Sequence, residues 1–264
     1  MISDLLEEEI KSQIPDKEVA ILLSGGVDSL SLAFACQRLG KKINAYNFHL
    51  DGNISYDTRK ANIVCKIFGW KIHNIIVPTS NLERDFLILA KEFDCKKKTQ
   101  FECTFPFLYV YPAIKEKYIL SGILADGLYG VSKKAMINFK EPKELFDKFR
   151  IDYFNNTNPA GLLQQFLLAK KYNKIFIYPY NTKKIKDFFM QFSHKELHNG
   201  KQKIHVRSAY KEEFKKIGSV KNHLNLQLDA GIDTLFEELL KNKTINYKNR
   251  IRVMDICKDW SLHG

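Results

Sequence analysis

One stretch near the start of the chain combines glycines, hydroxyls and a carboxylate in a way that suits an anion. It reads Ser24-Gly25-Gly26-Val27-Asp28-Ser29 and follows the apolar run Glu18–Leu23. Gly25 and Gly26 admit the crowded or left-handed backbone that a tight phosphate-facing bend needs. Their amides, and those that open a helix from Asp28, can point at one anionic group, and the helix dipole adds positive potential there. Ser24 and Ser29 can donate hydroxyl hydrogen bonds. Asp28 would repel a phosphate directly, so it needs a cation, and a magnesium ion bridging to the phosphates supplies one. The lysine of a Walker A loop and the third glycine of a dinucleotide fingerprint are both missing. An ordinary strand-turn-helix junction capped by an aspartate is the plain alternative, and it does not call for this combination of residues.

A second candidate loop follows the apolar Tyr118-Ile119-Leu120. It reads Ser121-Gly122-Ile123-Leu124-Ala125-Asp126-Gly127-Leu128-Tyr129-Gly130, with Asp126 as its carboxylate. Tyr129 is either a proton carrier or a packing aromatic, since both uses suit a tyrosine.

The elements that must hold these loops alternate between strand and helix. Helical periodicity covers residues 3–13, 29–39, 56–68 and a stretch near 80–92, and residues 105–117 read as a helix despite Pro106 and Pro112. Short apolar runs at 18–23, 43–49, 70–77 and 118–121 read as strands. This order predicts an α/β fold with a parallel sheet covered by helices on both faces. Ligands then bind beyond the carboxyl ends of the strands, where both loops lie. From about residue 140 the strand signal fades. Residues 159–172, 181–192, 208–217 and 232–241 read as helices, and 174–178 as a short strand or a buried connector. The expected organisation is an α/β core over 1–145 and a mostly helical part over 146–264 that completes the site.

With 264 residues, 45% of them hydrophobic, the chain can build a sizeable core. It shows no apolar run of about 20 residues that would span a bilayer. Its start is acidic and amphipathic, unlike a secretory signal, so a cytoplasmic protein without membrane attachment is expected. The five cysteines are Cys36, Cys65, Cys95, Cys103 and Cys257, none in a C-x-x-C pair, which argues against a disulfide framework or a zinc site. The net charge of +12 makes nucleic acid a candidate partner, although the lysines are scattered along the chain. His49 and Asp51 end the second strand, and Asp51 also suits the turn there. His73, His194, His198, His205 and His223 form no ligand spacing.

The string S-G-G-x-D-S resembles the pyrophosphate-binding motif of the N-type ATP pyrophosphatases. The resemblance implies a Rossmann-like sheet, ATP as cofactor with Mg2+, and cleavage between the α and β phosphates. It implies adenylation of an acceptor oxygen, after which an amine, ammonia or sulfur nucleophile displaces AMP. Residues Tyr118–Gly130 are similar to the second motif of the synthetase domain of asparagine synthetase and the β-lactam synthetases. On that likeness Ser24, Gly25, Gly26, Val27, Asp28, Ser29 and Gly122 bind the nucleotide, and Asp28 and Asp126 hold magnesium. Thr104-Phe105-Pro106, Asp57 with Ala61, and Ile177-Tyr178-Pro179-Tyr180 match the family in part. Val206-Arg207-Ser208 through Ser219-Val220-Lys221 resembles a stretch whose lysine reaches the acyl-adenylate, which makes Lys221 the candidate catalytic lysine beside Asp28 and Asp126. The ends of the second strand lie near adenine and ribose in this fold.

The departures bear on the acceptor. Ile123 and Gly127 stand where the asparagine enzymes carry glutamates, which argues against free aspartate. These 264 residues show no glutaminase motif, and ammonia or an amine from a separate source is therefore expected. The expected enzyme is an ATP-dependent, AMP-forming ligase that makes an amide or C–N bond on a small-molecule or nucleobase acceptor. Two alternatives remain open. One is a tRNA- or DNA-base-modifying thiolase or lysidine-type synthase, with Cys95 and Cys103 as candidate thiols. The other is a non-catalytic nucleotide-binding subunit with a decayed second motif.

Overall fold

A computed structural model of the chain describes residues 1–96, 98–131, 143–155, 159–199, 202–218 and 229–242. Its frame is a five-stranded sheet, entirely parallel, in the order β3-β2-β1-β4-β5. The strands are β1 Glu18–Leu22, β2 Lys42–Leu50, β3 Lys71–Val77, β4 Tyr118–Leu120 and β5 Ile175–Ile177. Of residues 174–178, Ile175–Ile177 form a strand, since β5 pairs with β4 in the register Tyr118↔Ile175. β5 lies beyond residue 145, so both stretches of the chain share one sheet.

The period-2 alternation of side chains decides which face each strand residue covers. Val19 and Ile21 of β1, with Tyr118 and Leu120 of β4, enter one core, while Ala20 and Ile119 enter the other. The first core is roofed by α1 (Ile2–Gln13), α2 (Val27–Arg38) and α3 (Tyr56–Phe68). The second is roofed by α4 (Leu82–Glu92), α5 (Lys98–Thr104) and α6 (Phe107–Ala113). A sheet buried on both faces accounts for the near-continuous apolar strand sequences.

The helix expected over 105–117 is found as the shorter α6, Phe107–Ala113, and a further helix, α5, which the sequence reading did not mark, precedes it over Lys98–Thr104. Proline lacks an amide hydrogen and disfavours helical backbone in the residue before it. Accordingly α5 stops at Thr104, Pro106 becomes the N-cap of α6, and Pro112 falls in the last turn of that helix. The later chain forms α7 (Ala125–Tyr129), α8 (Lys143–Asn155), α9 (Leu162–Lys171), α10 (Lys183–Met190), α11 (His194–Leu197), α12 (Ile204–Ala209), α13 (Lys211–Ile217) and α14 (Ile232–Asn242). α14 sends Ile232 and Phe236 into the second core, where Phe236 meets Phe86, Phe101 and Phe105. Among the described residues no helix is long and apolar enough to cross a membrane.

Candidate active site

β1 ends at Leu22, and Ser24 to Gly26 turn the chain into α2. Gly25 has φ +75°, a left-handed conformation that L side chains avoid. A Cβ there would also stand 3.0 Å from Cγ of Lys60, so the lysine's stem packs against the bend. Ser24 Oγ accepts from the Gly26 amide at 3.2 Å and lies 3.2 Å from Ser29 Oγ, which donates to the Gly26 carbonyl. Gly26 is the N-cap of α2 and offers no side chain to its first amides. Those amides, from Val27, Asp28 and Ser29, lack intrahelical partners by construction and face the site. The geometry is that of an anion cradle at a helix N-terminus.

β4 lies beside β1, so the loop after β4 meets the start of α2. The contact is close: a Cβ on Gly122 would lie 2.9 Å from Cβ of Asp28 and 3.1 Å from the amide nitrogen of Ser29. Gly122 therefore lets the two loops touch. Asp126 follows in the first turn of α7, and Ile123 lines the cavity between the loops.

Asp28 and Asp126 converge on a residue that sequence reasoning did not single out. Lys203 Nζ lies 2.6 Å from Asp28 Oδ2 and 2.8 Å from Asp126 Oδ1. The lysine is 11% exposed, Asp28 19% and Asp126 61%. Burial pushes the ammonium's pKa down, but the two carboxylates overcome this and hold it above the usual lysine range. Lys203 therefore stays charged across the physiological range. The signal available in the sequence was its position three residues before Val206, where the stretch marked by resemblance begins; its type told nothing among so many lysines. Lys221 lies outside the described residues, as does Cys257.

Two further cations stand near the cradle. Burial lowers the pKa of Lys60, with Asp57 opposing and Arg207 reinforcing the shift. Burial also lowers that of Arg207, and the Asp28 carboxylate opposes it. Tyr129 is fully buried in the first core, and burial raises its hydroxyl well above the usual tyrosine value. That environment favours the packing use of the residue over proton transfer.

A cavity of about 270 Å³ opens beside the cradle. Ser24, Asp28 and Ser29 line one part of it, and Leu22, Tyr46, Phe48, Phe107 and Ile123 give it an apolar lining. Cys103 lines it too, whereas Cys95 is fully buried in the core. His49 and Asp51 are not among the lining residues. Asp229 and Ala230 supply one wall. Asp229 accepts hydrogen bonds from the amides of Tyr56 and Asp57, Ser55 caps the amide of Thr58, and Asn53 donates to the Ala230 carbonyl. The segment that leads into α14 is thus fastened to the start of α3.

Gly127 also makes room for a neighbour. A Cβ there would stand 2.2 Å from Cε1 of Tyr153, on α8. The aromatic ring fills the space that any side chain at 127 would need. Burial, with the charges of Asp126 and Cys103, pushes the Tyr153 hydroxyl up to about 12.

A magnesium ion fits this donor set. It takes one or two protein carboxylates and completes its shell with phosphate oxygens and water. Asp28 and Asp126 already surround one positive centre, the ammonium of Lys203. Among the described residues no group of three or more His, Cys, Asp or Glu side chains could form an all-protein metal cage.

A family model for asparagine synthase matches residues 1–224. No curated protein sequence matches. Among solved structures, a predicted subunit of tRNA methyltransferase from Methanocaldococcus jannaschii is 18% identical, covers 75% of this chain and 88% of its own, and has a TM-score of 0.36. NMN synthetase from Francisella tularensis is 15% identical, covers 84% of this chain and 97% of its own, and has a TM-score of 0.38. Overlap at those values says nothing about the chemistry of this chain.

Proposed function

The chain belongs to the asparagine synthase family, and from that premise we propose that it uses ATP to adenylate an oxygen of an acceptor, releasing pyrophosphate, before ammonia or an amine displaces AMP. Membership supports the coarser statement, an ATP-utilising activity of the synthetase type. The finer reading is carried by the convergence of Asp28 and Asp126 on one cation beside the Ser24–Ser29 cradle.

In the first step the acceptor oxygen attacks the α-phosphorus and the bond to the β-phosphate's bridging oxygen breaks. Negative charge grows on the departing pyrophosphate. The first amides of α2 and the Lys203 ammonium face that charge in a partly water-excluded site, where fixed donors are worth most. Magnesium held by Asp28 and Asp126 would supply further positive charge to the pyrophosphate. In the second step nitrogen attacks the adenylated carbon, and AMP leaves with the bonding pair. Ile123 puts an apolar side chain on the cavity wall, and the Tyr153 ring fills the space beside Gly127, next to Asp126 in sequence. Their chemistry supports an acceptor other than free aspartate, either a small molecule or a nucleobase.

Incubation with ATP, magnesium and a fractionated metabolite or RNA pool tests the reading. AMP and pyrophosphate should appear with a modified acceptor; release of ADP would refute the proposed chemistry. A second reading, sulfur transfer, is favoured by one observation, the place of Cys103 on the cavity wall. Under that reading Cys103→Ala abolishes product formation, whereas the ligase reading leaves the rate within a few fold of wild type.

A further inference from the structure

His198 follows α11 and has no place in the chemistry above, yet its ring reaches the backbone of two segments that carry site residues. Its Nε2 lies 2.6 Å from the carbonyl oxygen of Tyr129, the last residue of the short helix that holds Asp126. Its Nδ1 accepts the amide N–H of Lys203 at 3.4 Å. With Nδ1 accepting, the proton resides on Nε2, which then donates to Tyr129. Burial lowers the pKa of His198; its bond to the Tyr129 carbonyl opposes that shift, and the nearby charges of His194 and Lys203 reinforce it. The neutral ring that these two bonds require is therefore the stable form at neutral pH.

The backbone it holds is an unusual one. Lys203 has φ 59° and ψ 42°, the left-handed region that a lysine adopts at a cost. Leu124, the N-cap of the Asp126 helix, is left-handed as well, at φ 74°. Unfavourable backbone of this kind persists where surrounding contacts over-determine it, and it gathers at functional sites. The lysine's ammonium lies 4.9 Å from the Tyr129 ring centroid as it reaches Asp28 and Asp126. The Tyr129 carbonyl, the imidazole, the Lys203 backbone and the Lys203 side chain over the Tyr129 ring thus close a loop.

We propose that His198 is a positioning residue, which ties the Asp126 segment to the Lys203 backbone and so fixes where the ammonium sits. Its importance for catalysis rests on the adenylation reading; its hold on the lysine does not. Without the imidazole, residue 203 relaxes toward ordinary backbone and the ammonium leaves the two carboxylates.

Lysine acylation with an acetyl N-hydroxysuccinimide ester, quantified by mass spectrometry on the full-length protein, tests this without any substrate. In the wild type Lys203 should label far more slowly than exposed Lys184. His198→Ala should speed labelling at Lys203 by about tenfold or more, the change that a one-unit fall in an ammonium's pKa brings. His198→Gln retains a donor and an acceptor and should return most of the protection. Buried Lys60, whose stem packs against the Gly25 bend, reports on whether the cradle itself is disturbed and should not change. The inference is overturned if Lys203 labels equally in wild type and His198→Ala, if the glutamine variant labels like the alanine variant, or if Lys60 accelerates in step with Lys203. In single-turnover ATP cleavage, His198→Ala should lower the rate of AMP formation while ATP affinity changes less. A wild-type protein that forms no AMP would sink the adenylation reading and leave the labelling result standing.

Discussion

Replacing Lys203 with methionine removes the ammonium and keeps most of the apolar stem. Unit charges about 4 Å apart interact with about 4 kcal/mol at an effective dielectric of about 20, and Lys203 approaches Asp28 Oδ2 to 2.6 Å. Against that stands the desolvation of a lysine that is only 11% exposed, and the Asp126 contact is discounted because its carboxylate is 61% exposed. The net loss of folding stability should then be about 1–3 kcal/mol. For a domain of this size that lowers the thermal midpoint by roughly 3–10 °C. Magnesium should restore more of the midpoint in the variant than it adds to the wild type, because the vacated carboxylates become available to it. A tenfold excess of metal over its dissociation constant adds about 1.4 kcal/mol. Thermal unfolding at neutral pH and low salt, with and without millimolar magnesium, reads both effects. A midpoint equal to or above that of the wild type would refute the assigned ion triad. So would a magnesium response no larger than the wild type's.

Three other outcomes are expected. Gly127→Ala should destabilise by about 1–3 kcal/mol through overpacking, because its Cβ would lie 2.2 Å from the Tyr153 ring; adding Tyr153→Ala should return part of that loss in chemical denaturation, and an alanine variant with unchanged stability would show that the ring is not there. Burial lowers the pKa of His194, His198 and His205 below the ordinary 6.5. The unfolded chain therefore binds more protons as pH falls past 6.5, so stability should be full above that value and decline below it toward the folded-state pKa values. The thermal midpoint followed across that window checks this, with a shallower decline in His198→Gln. Finally, burial pushes the Cys36 and Cys65 thiols up to about 12, so iodoacetamide should leave both unmodified in the native protein. Cys103, on the cavity wall, should react, and ATP should slow that reaction; equal labelling with and without nucleotide would place the nucleotide elsewhere.

The first cradle was legible because its chemistry is local. Strand, twin glycines, serines and helix start are contiguous, so one reading of residues 18–39 contains the whole device. The parallel sheet was legible for a similar reason, since alternating apolar runs and helical periodicities are short-range patterns. The site cations were not. Lys203 meets Asp28 across 175 positions of chain and Asp126 across 77, and one lysine among many carries no mark of its partner. The reason for Gly122 was equally hidden, because the neighbour that forbids a side chain there is Asp28, in the first turn of the helix that follows another strand. The pairing of Gly127 with Tyr153 belongs to the same class. The break at Pro106 could have been read locally, since a proline flanked by helical pattern marks a boundary in its own right. Starting the helix at 105 placed its beginning before that proline, whereas α6 begins at Phe107, and left α5 over Lys98–Thr104 unread.

The family match stops at residue 224, but the cavity does not. Asp229 and Ala230 form part of its wall, and the Asp229 carboxylate is the cap on the first two amides of α3. A protein shortened at the edge of the recognisable region would lose a side of its pocket and leave the Tyr56 and Asp57 amides to solvent, with only the Ser55 cap on Thr58 remaining. The shape of this pocket is thereby set partly by residues beyond the span that the family model matches.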